Sequence, residues 1–98
     1  MAKYVISPLA AQDLEAIGDY IAQDNPHRAI TFILELRTQC NRIAASPKAY
    51  RSRLDLGENI RSSAYRNYVI FFQDAPDGLC IVRVLHGAMD AGSRFPKE

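Results

Sequence analysis

Cysteine and histidine are scarce in this sequence, and their placement excludes several kinds of chemistry. Cys40 and Cys80 form no CxxC pair and lie in apolar patterns, which predicts two buried, reduced thiols. His27 and His86 are isolated, and no cluster of Cys, His or Asp has the spacing of a metal site. The GxxxxGK and GxGxxG patterns that bind phosphates are also missing. We therefore expect neither a metal nor a cofactor.

Long apolar runs and a strong net charge are absent as well. No run approaches the length of a membrane span, and residues 1–8 lack the apolar core of a secretory signal, so we expect a soluble, cytoplasmic protein. A length of 98 residues gives one domain, residues 1–98. The net charge is +1, but residues 13–24 are acidic and residues 48–66 are basic. This asymmetry indicates either a charged partner or two solvated faces.

The first half of the chain predicts a strand and two helices. Residues 3–6 contain the apolar run Tyr4-Val5-Ile6 and predict a strand, and Ser7-Pro8 then provides a cap and a first helical residue. Asn25-Pro26 begins a second helix, which stops at Pro47. The apolar stripes are Ala10, Leu14, Ile17 and Ile21 in the first helix and Ala29, Phe32, Ile33, Leu36, Cys40 and Ile43 in the second.

The two helices should fold back as an antiparallel hairpin, because the turn between them is very short. Gly18 lies inside the first helix, where glycine costs about 1 kcal/mol relative to alanine, so we expect close packing there. Ile30 and Leu34 widen the stripe of the second helix. We therefore expect that helix to contact more than one neighbour.

The second half of the chain changes to a period of two. Strands are predicted from residue 60 to 65, from 68 to 72 and from 79 to 86, with turns at Arg66-Asn67, where asparagine suits left-handed geometry, and at 74–78. Residues 48–58 read as a loop with Leu54 and Leu56 pointing inward, and residues 92–98 as a loosely held tail. The result is a two-layer α+β domain, β-α-α-β-β-β, with the hairpin on an antiparallel sheet. The edge that the first strand joins stays open.

The last strand, Leu-Cys-Ile-Val-Arg-Val-Leu-His, carries an arginine in an otherwise apolar run. A fully buried guanidinium needs a partner, so Arg83 lies on a solvated face, pairs with a carboxylate or serves a site. Arg61 alternates onto the polar face of its strand, where an arginine faces solvent or a partner. Tyr65, on the same face, either stacks on a base of a bound nucleic acid or is simply exposed to solvent.

A set of basic side chains suggests one catalytic hypothesis. An acid–base endonuclease acting on RNA uses arginine to stabilise charge on the scissile phosphate and histidine to move a proton. The candidates are Arg61, Arg83 and His86, with the loop cations Arg51 and Arg53. The alternative is structural: Arg83 pairs with an acid, and His86 closes its strand by hydrogen bonding.

Nearly the whole chain resembles ParE toxins of the RelE/ParE superfamily. The similar segments are Tyr4 to Pro8, Asp13-Leu14, Asp19-Tyr20-Ile21-Ala22, Asn25-Pro26 with Ala29, then Pro47, Arg53, Leu56-Gly57, Ile60-Arg61-Ser62, Tyr68-Val69-Ile70-Phe71, and finally Arg83-Val84-Leu85-His86-Gly87 with Asp90. The Arg-Val-Leu-His-Gly segment after a helix hairpin is the most specific of these. The sequence departs from the ParE pattern at Met89, a position often held by arginine, and at Gly18, where a bulky residue is frequent.

The resemblance implies a bacterial type II toxin that acts by binding and is not an enzyme. Toxins of this family poison DNA gyrase, and the A subunit is the expected contact. They also form a hetero-oligomer with a ParD-like antitoxin. The antitoxin's disordered C-terminal part folds onto the toxin through apolar and acidic residues. The resemblance implies that the toxin alone does not bind DNA in a sequence-specific way and does not contact a membrane. The expected contact residues are Arg51, Arg53, Arg61, Tyr65, Arg83, His86 and Met89.

The RelE branch of the same superfamily supports the alternative, a ribosome-dependent messenger endoribonuclease. Arg61 and Arg83 match two basic positions of that branch, and His86 resembles its C-terminal catalytic residue. However, the C-terminal tyrosine of the branch is missing, since no tyrosine follows Tyr68. A third possibility is a relative that keeps antitoxin binding but has lost its target.

Overall fold

The computed structural model describes residues 3–88 and 91–95. Its elements are β1 (Tyr4–Ile6), α1 (Pro8–Ala22), α2 (Pro26–Ala45), β2 (Arg51–Ser52), β3 (Ile60–Tyr65), β4 (Tyr68–Ala75) and β5 (Gly78–His86), with short 3₁₀ helices at Pro47–Ala49 and Ala91–Arg94. The two helices pack on one face of a five-stranded, mostly antiparallel sheet. The predicted two-layer α+β fold is confirmed.

Both helices begin at the residues that the sequence indicates. The Ser7 side chain accepts a hydrogen bond from the Ala10 amide at 3.0 Å, and the Asn25 side chain accepts one from the Arg28 amide at 3.0 Å. Each cap is followed by a proline, whose missing amide hydrogen is not needed in the first turn. Neither of these helices is long and apolar enough to cross a membrane.

The prediction that α2 contacts more than one neighbour is confirmed, because α2 packs against α1, β1 and β3. The two residues from which it was inferred do not make those contacts. Ile30 and Leu34 are 63% and 58% exposed, although the main stripe of the helix is buried as expected. Ile33 lies between these two faces and packs beside Gly18 of α1. The prediction that Leu54 points inward is also wrong, since this side chain is 77% exposed, whereas Leu56 is half-buried.

The strand order is β1-β5-β4-β3-β2, with β1 parallel to β5 and every other pair antiparallel. This places β1 at an edge, a point that the sequence left open. The interpretation of residues 48–58 as a plain loop was wrong for two residues, because Arg51 and Ser52 pair with Ser62 and Arg61 to form β2. A strand of two residues forms because β3 provides its hydrogen-bond partners, and no pattern of apolar residues within it could have predicted it.

A β-bulge in β5 decides which face Arg83 takes. Phe72 pairs with Ile81 whereas Phe71 pairs with Arg83, so Val82 is an extra residue in the ladder. Without the bulge, the alternation that buries Leu79 and Ile81 under the helices would place Arg83 there too. The extra residue instead gives that position to Val84, which is 2% exposed in the core. Arg83 therefore shares the other face with Phe71.

The main core lies between the helices and the sheet. Its fully buried side chains are Phe72, Leu36, Ile43, Ile70, Ile81 and Cys40. Burial raises the pKa of the Cys40 thiol to about 11, which makes it inert at neutral pH. Both cysteines are free, but Cys80 is only half-buried, so the prediction of two buried thiols holds for Cys40 alone.

A second, smaller apolar cluster lies on the sheet face away from the helices. Ile60, Phe71 and Leu85 are each no more than 7% exposed there. The Phe95 ring packs edge-on against Phe71 with 5.3 Å between centroids, and the Arg53 guanidinium lies 5.5 Å from the centroid of the same ring. The predicted loose tail is therefore wrong at Phe95, because that residue covers the second face.

The turns between the strands follow the sequence closely. Pro76-Asp77 joins β4 to β5, and Arg66-Asn67 joins β3 to β4. In the latter turn Arg66, and not the predicted Asn67, has the left-handed backbone, with φ at 53°. The Asn67 carbonyl instead accepts a hydrogen bond from the Gly87 amide at 2.7 Å, which joins the turn to the end of β5.

Gly18→Ala should stabilise the protein. A Cβ at this position would lie 3.6 Å from Cγ1 of Ile33, an ordinary contact, so the packing that the sequence predicts leaves room for a methyl group. Alanine should raise the free energy of unfolding by about 1 kcal/mol in urea denaturation, since glycine is a poor helix former. Gly78→Ala is the control: it has open space but a φ of 143°, so it should destabilise. A loss of stability in Gly18→Ala would contradict this account.

Candidate functional site

Arg83 is bound by a carboxylate of α1. Its Nε and Nη2 donate to the two oxygens of Asp13 at 2.7 and 2.9 Å, and both side chains are largely buried, at 16% and 13% exposed. Asp13 Oδ2 also accepts a hydrogen bond from the Val84 amide at 3.0 Å. The bond to Asp13 raises the pKa of Arg83. Of the alternatives left open by the sequence, pairing with a carboxylate is the one that holds.

The polar side of β3 faces the helix layer, where Ser63 is buried and Arg61 and Tyr65 are half-buried. Arg61 Nη1 donates to the Tyr50 carbonyl at 2.8 Å, and Ser63, which is 5% exposed, accepts a hydrogen bond from Gln39 at 3.0 Å. The Tyr65 hydroxyl donates to Glu35 at 2.7 Å. Arg61 is therefore half-buried and engaged by backbone, and these three side chains form a polar seam beneath the helix layer. The role of Arg61 in partner contact stays a prediction.

Glu35 is the centre of a charged cluster at the end of this seam. Its carboxylate accepts hydrogen bonds from Arg28 and from the Tyr65 hydroxyl, and Arg66 Nε lies 3.6 Å away. The bonds from Arg28 and then Tyr65 lower the pKa of Glu35 from 4.5 to about 2. Nothing in the apolar periodicity of α2 signals this role.

His86 is exposed at the end of β5. Its Nδ1 accepts a hydrogen bond from the Ala88 amide at 3.1 Å, and its ring lies edge-on to Tyr68 with 5.3 Å between centroids. This bond assigns the proton of the neutral ring to Nε2, which makes Nε2 a donor toward solvent. The strand-closing role considered from the sequence agrees with this geometry.

The loop cations differ from each other. Arg53 donates to both oxygens of Asp55, at 3.0 and 2.9 Å, and this hydrogen bonding raises its pKa. Arg51 is exposed on the edge strand β2. Met89, also expected at a contact surface, lies outside the described residues. Across residues 3–88 and 91–95, no three Cys, His, Asp or Glu side chains form a group that could hold a metal ion.

The three candidate nuclease residues do not form one site. Residues that pair across an antiparallel ladder share a face, so Arg61 lies with Phe72 and Arg83 with Phe71, on opposite faces. His86 pairs with Tyr68 and shares the face of Arg61, but Tyr68 and Phe72 are four residues apart, about 13 Å along the strand. The backbone positions therefore do not gather the three residues at one place on the sheet.

The architecture matches that of a toxin–antitoxin component. A chain of the solved structure "Chromosomal ParDE TA system from P. aeruginosa" superposes with a TM-score of 0.74 at 19% sequence identity, over 88% of this chain and 96% of that one. A likeness at this identity establishes the fold. Among curated protein sequences, none matches this chain.

The sequence establishes the family. The model of the family described as "ParE toxin of type II toxin-antitoxin system, parDE" matches residues 4–91, which is most of the chain. The protein therefore belongs to the ParE toxin family. The resemblance carried by the helix hairpin and the Arg-Val-Leu-His-Gly segment is confirmed.

Asp13→Ala should destabilise the fold strongly. It would leave the largely buried guanidinium of Arg83 without its carboxylate and the Val84 amide without an acceptor, so the free energy of unfolding should fall by about 3 kcal/mol in urea. Asp55→Ala is a matched control, since it removes an equally bidentate carboxylate that is 61% exposed, and it should change stability little. Similar losses in both variants would refute the assigned role of Asp13.

Glu35 should make stability depend on pH in an acidic window. Because its pKa is lowered on folding, its contribution is complete above the unfolded value of 4.5 and is lost as pH falls toward about 2. The difference in urea midpoint between the wild type and Glu35→Gln should therefore be constant above pH 5 and shrink between pH 4.5 and 2. Glu15→Gln, at an exposed position of α1, controls for the loss of one carboxylate. A difference that is constant down to pH 2 would contradict the assignment.

Proposed function

We propose that this chain inhibits DNA gyrase by binding and that a ParD-like antitoxin neutralises it. Membership of the ParE toxin family supports both parts of the proposal. The structural observation that supports the non-catalytic part is that Arg61 and Arg83 lie on opposite faces of the sheet, and that Arg61 and His86 are about 13 Å apart along the strands. General acid–base chemistry needs its groups within hydrogen-bond reach of one substrate, and this arrangement does not favour that.

The contacts of these residues favour the same conclusion. Arg83 is held by Asp13, and Arg61 is held by the Tyr50 carbonyl. A cation that already stabilises a carboxylate has less charge to offer a scissile phosphate. The messenger endoribonuclease therefore remains the second candidate, supported only by residue types.

The antitoxin would meet the side chains that the fold leaves exposed. Among the basic residues near β2, Lys48 and Arg51 are exposed and suit an acidic segment. Ile30 and Leu34 are one turn apart on α2 and more than half exposed, so they suit an apolar anchor. A disordered segment that orders on binding can engage such separated points on a small partner and form a stable hetero-oligomer.

Purified, antitoxin-free protein should inhibit supercoiling by gyrase and trap cleaved DNA. Inhibition should be relieved by one equivalent of the cognate antitoxin. Arg51→Glu should need more antitoxin, because reversing an exposed charge at a complementary interface weakens association by about tenfold. Lys3→Glu, an equal charge change at an exposed position beside β1, at the opposite edge of the sheet from β2, is the control.

A folded protein that leaves gyrase unaffected would overturn the gyrase proposal. Primer extension on translating ribosomes would then test the second candidate, with His86→Ala expected to abolish messenger cleavage if that histidine is catalytic. Absence of both activities, with antitoxin binding intact, would identify a relative that has lost its target.

A further inference from the structure

Aromatic rings form a continuous row across one end of the sheet. The centroids of His86 and Tyr68 are 5.3 Å apart, those of Tyr68 and Phe32 are 5.6 Å apart, and those of Phe32 and Tyr65 are 6.0 Å apart. Tyr20 lies toward the same end, because α1 runs beside β5 in the direction of His86, with Ser7 bonded to the Val82 carbonyl and Asp13 to the Val84 amide. We call the five residues the aromatic end. They come from α1, α2, β3, β4 and β5.

Two members of the aromatic end are open to a ligand. Tyr20 is 70% exposed, the second most exposed large hydrophobic side chain in the described part of the chain, and His86 is exposed at its strand end. The buried and half-buried rings behind them fix the position of the surface. An exposed aromatic side chain backed by a packed ring is a platform on which a planar group can stack.

Cations border the rings. The guanidinium of Arg28 lies 5.0 Å from the Phe32 centroid, and that of Arg66 lies 5.8 Å from the Tyr65 centroid. Glu35 is the carboxylate in contact with both arginines, and it also accepts a hydrogen bond from the Tyr65 hydroxyl at 2.7 Å. Arg66 is 61% exposed and contacts Glu35 only at 3.6 Å. Its charge is therefore largely available to solvent.

Hydrogen-bond donors complete the surface. The bond from the Ala88 amide to Nδ1 of His86 leaves Nε2–H as a donor toward solvent. With the Tyr20 hydroxyl and the Arg66 guanidinium, the surface offers donors and stacking rings together. A nucleotide uses both, because its phosphate accepts hydrogen bonds and its base stacks. An acidic peptide would use the donors but leave the rings uncovered.

We propose that the aromatic end binds single-stranded nucleic acid, with bases stacked on Tyr20 and His86 and a backbone phosphate on Arg66. Single strands fit because their bases are free to stack, whereas the bases of a duplex are not. One phosphate contact makes the binding weak and gives it a shallow salt dependence. The inference stands apart from the proposed function, since it requires neither gyrase nor antitoxin.

The test is fluorescence anisotropy with a labelled oligodeoxythymidine of roughly eight nucleotides at low salt. Tyr20→Leu should weaken binding by roughly fivefold or more, whereas Tyr20→Phe, which keeps the ring, should retain most of it. Arg66→Asn suits the left-handed backbone and removes the charge, so it should lower the salt slope by about 0.7. Arg51→Asn, at the other end of the sheet, is the matched control and should have little effect.

Three results would overturn the inference. The first is equal weakening by Arg66→Asn and Arg51→Asn, which would indicate general electrostatic attraction. The second is unchanged binding in Tyr20→Leu. The third is an oligoglutamate of equal charge that binds as tightly as the oligonucleotide. Amide shifts on titration, expected at Tyr20, Arg66 and His86 and not at Lys48, provide a check that does not depend on any variant.

Discussion

The carboxylate of Asp13 joins the helix layer to the central part of the sheet. β1 ends at Ile6 because Ser7-Pro8 begins α1, whereas its neighbour β5 continues from Ile81 to His86. That stretch of β5 would have an unpaired edge. The Ser7 hydroxyl donates to the Val82 carbonyl and Asp13 accepts from the Val84 amide, so the helix supplies the partners that a strand would have supplied. The same carboxylate pairs with Arg83. One acidic side chain therefore both binds the exposed edge of β5 and compensates the charge of the arginine.

The bulge at Val82 makes that arrangement compatible with a dry core. Strict alternation along β5 would place Arg83 beneath the helices, where a guanidinium is costly. One extra residue moves Arg83 to the other face and gives its place to Val84. Toward the other edge of the sheet, β3 also carries polar side chains beneath the helices. They are not moved to the other face but form hydrogen bonds with Gln39, Glu35 and the Tyr50 carbonyl. No buried side-chain polar atom in the described residues lacks a partner.

Local signals in the sequence predict most of the fold but little of the site. Caps, prolines and apolar periods act over a few residues, so the helix starts and the strands of the meander could be read directly. The edge position of β1, the pairing of β2 and the bulge depend on partners distant in the chain. The same limit applies to Asp13, which lies 70 residues from Arg83. A carboxylate partner could be anticipated from the cost of burial, but its identity could not. The apolar pattern of α2 included Ile30 and Leu34, although both are exposed. The apolar character of a residue does not show whether another element covers it.

The distribution of charge therefore differs from the impression that the sequence gives. Of the basic residues between 48 and 66, Arg53 and Arg61 are engaged by Asp55 and the Tyr50 carbonyl. Lys48 and Arg51 are exposed at one end of the sheet, and Arg66 is exposed at the other. Arg51 pairs with Ser62, four residues before Arg66, so the two positive points are separated by about 13 Å along the strand. This separation exceeds the Debye length of about 8 Å at physiological salt, so the charges at the two ends are largely screened from each other. An acidic protein segment at the β2 end and a nucleic acid at the aromatic end would therefore not exclude each other through charge.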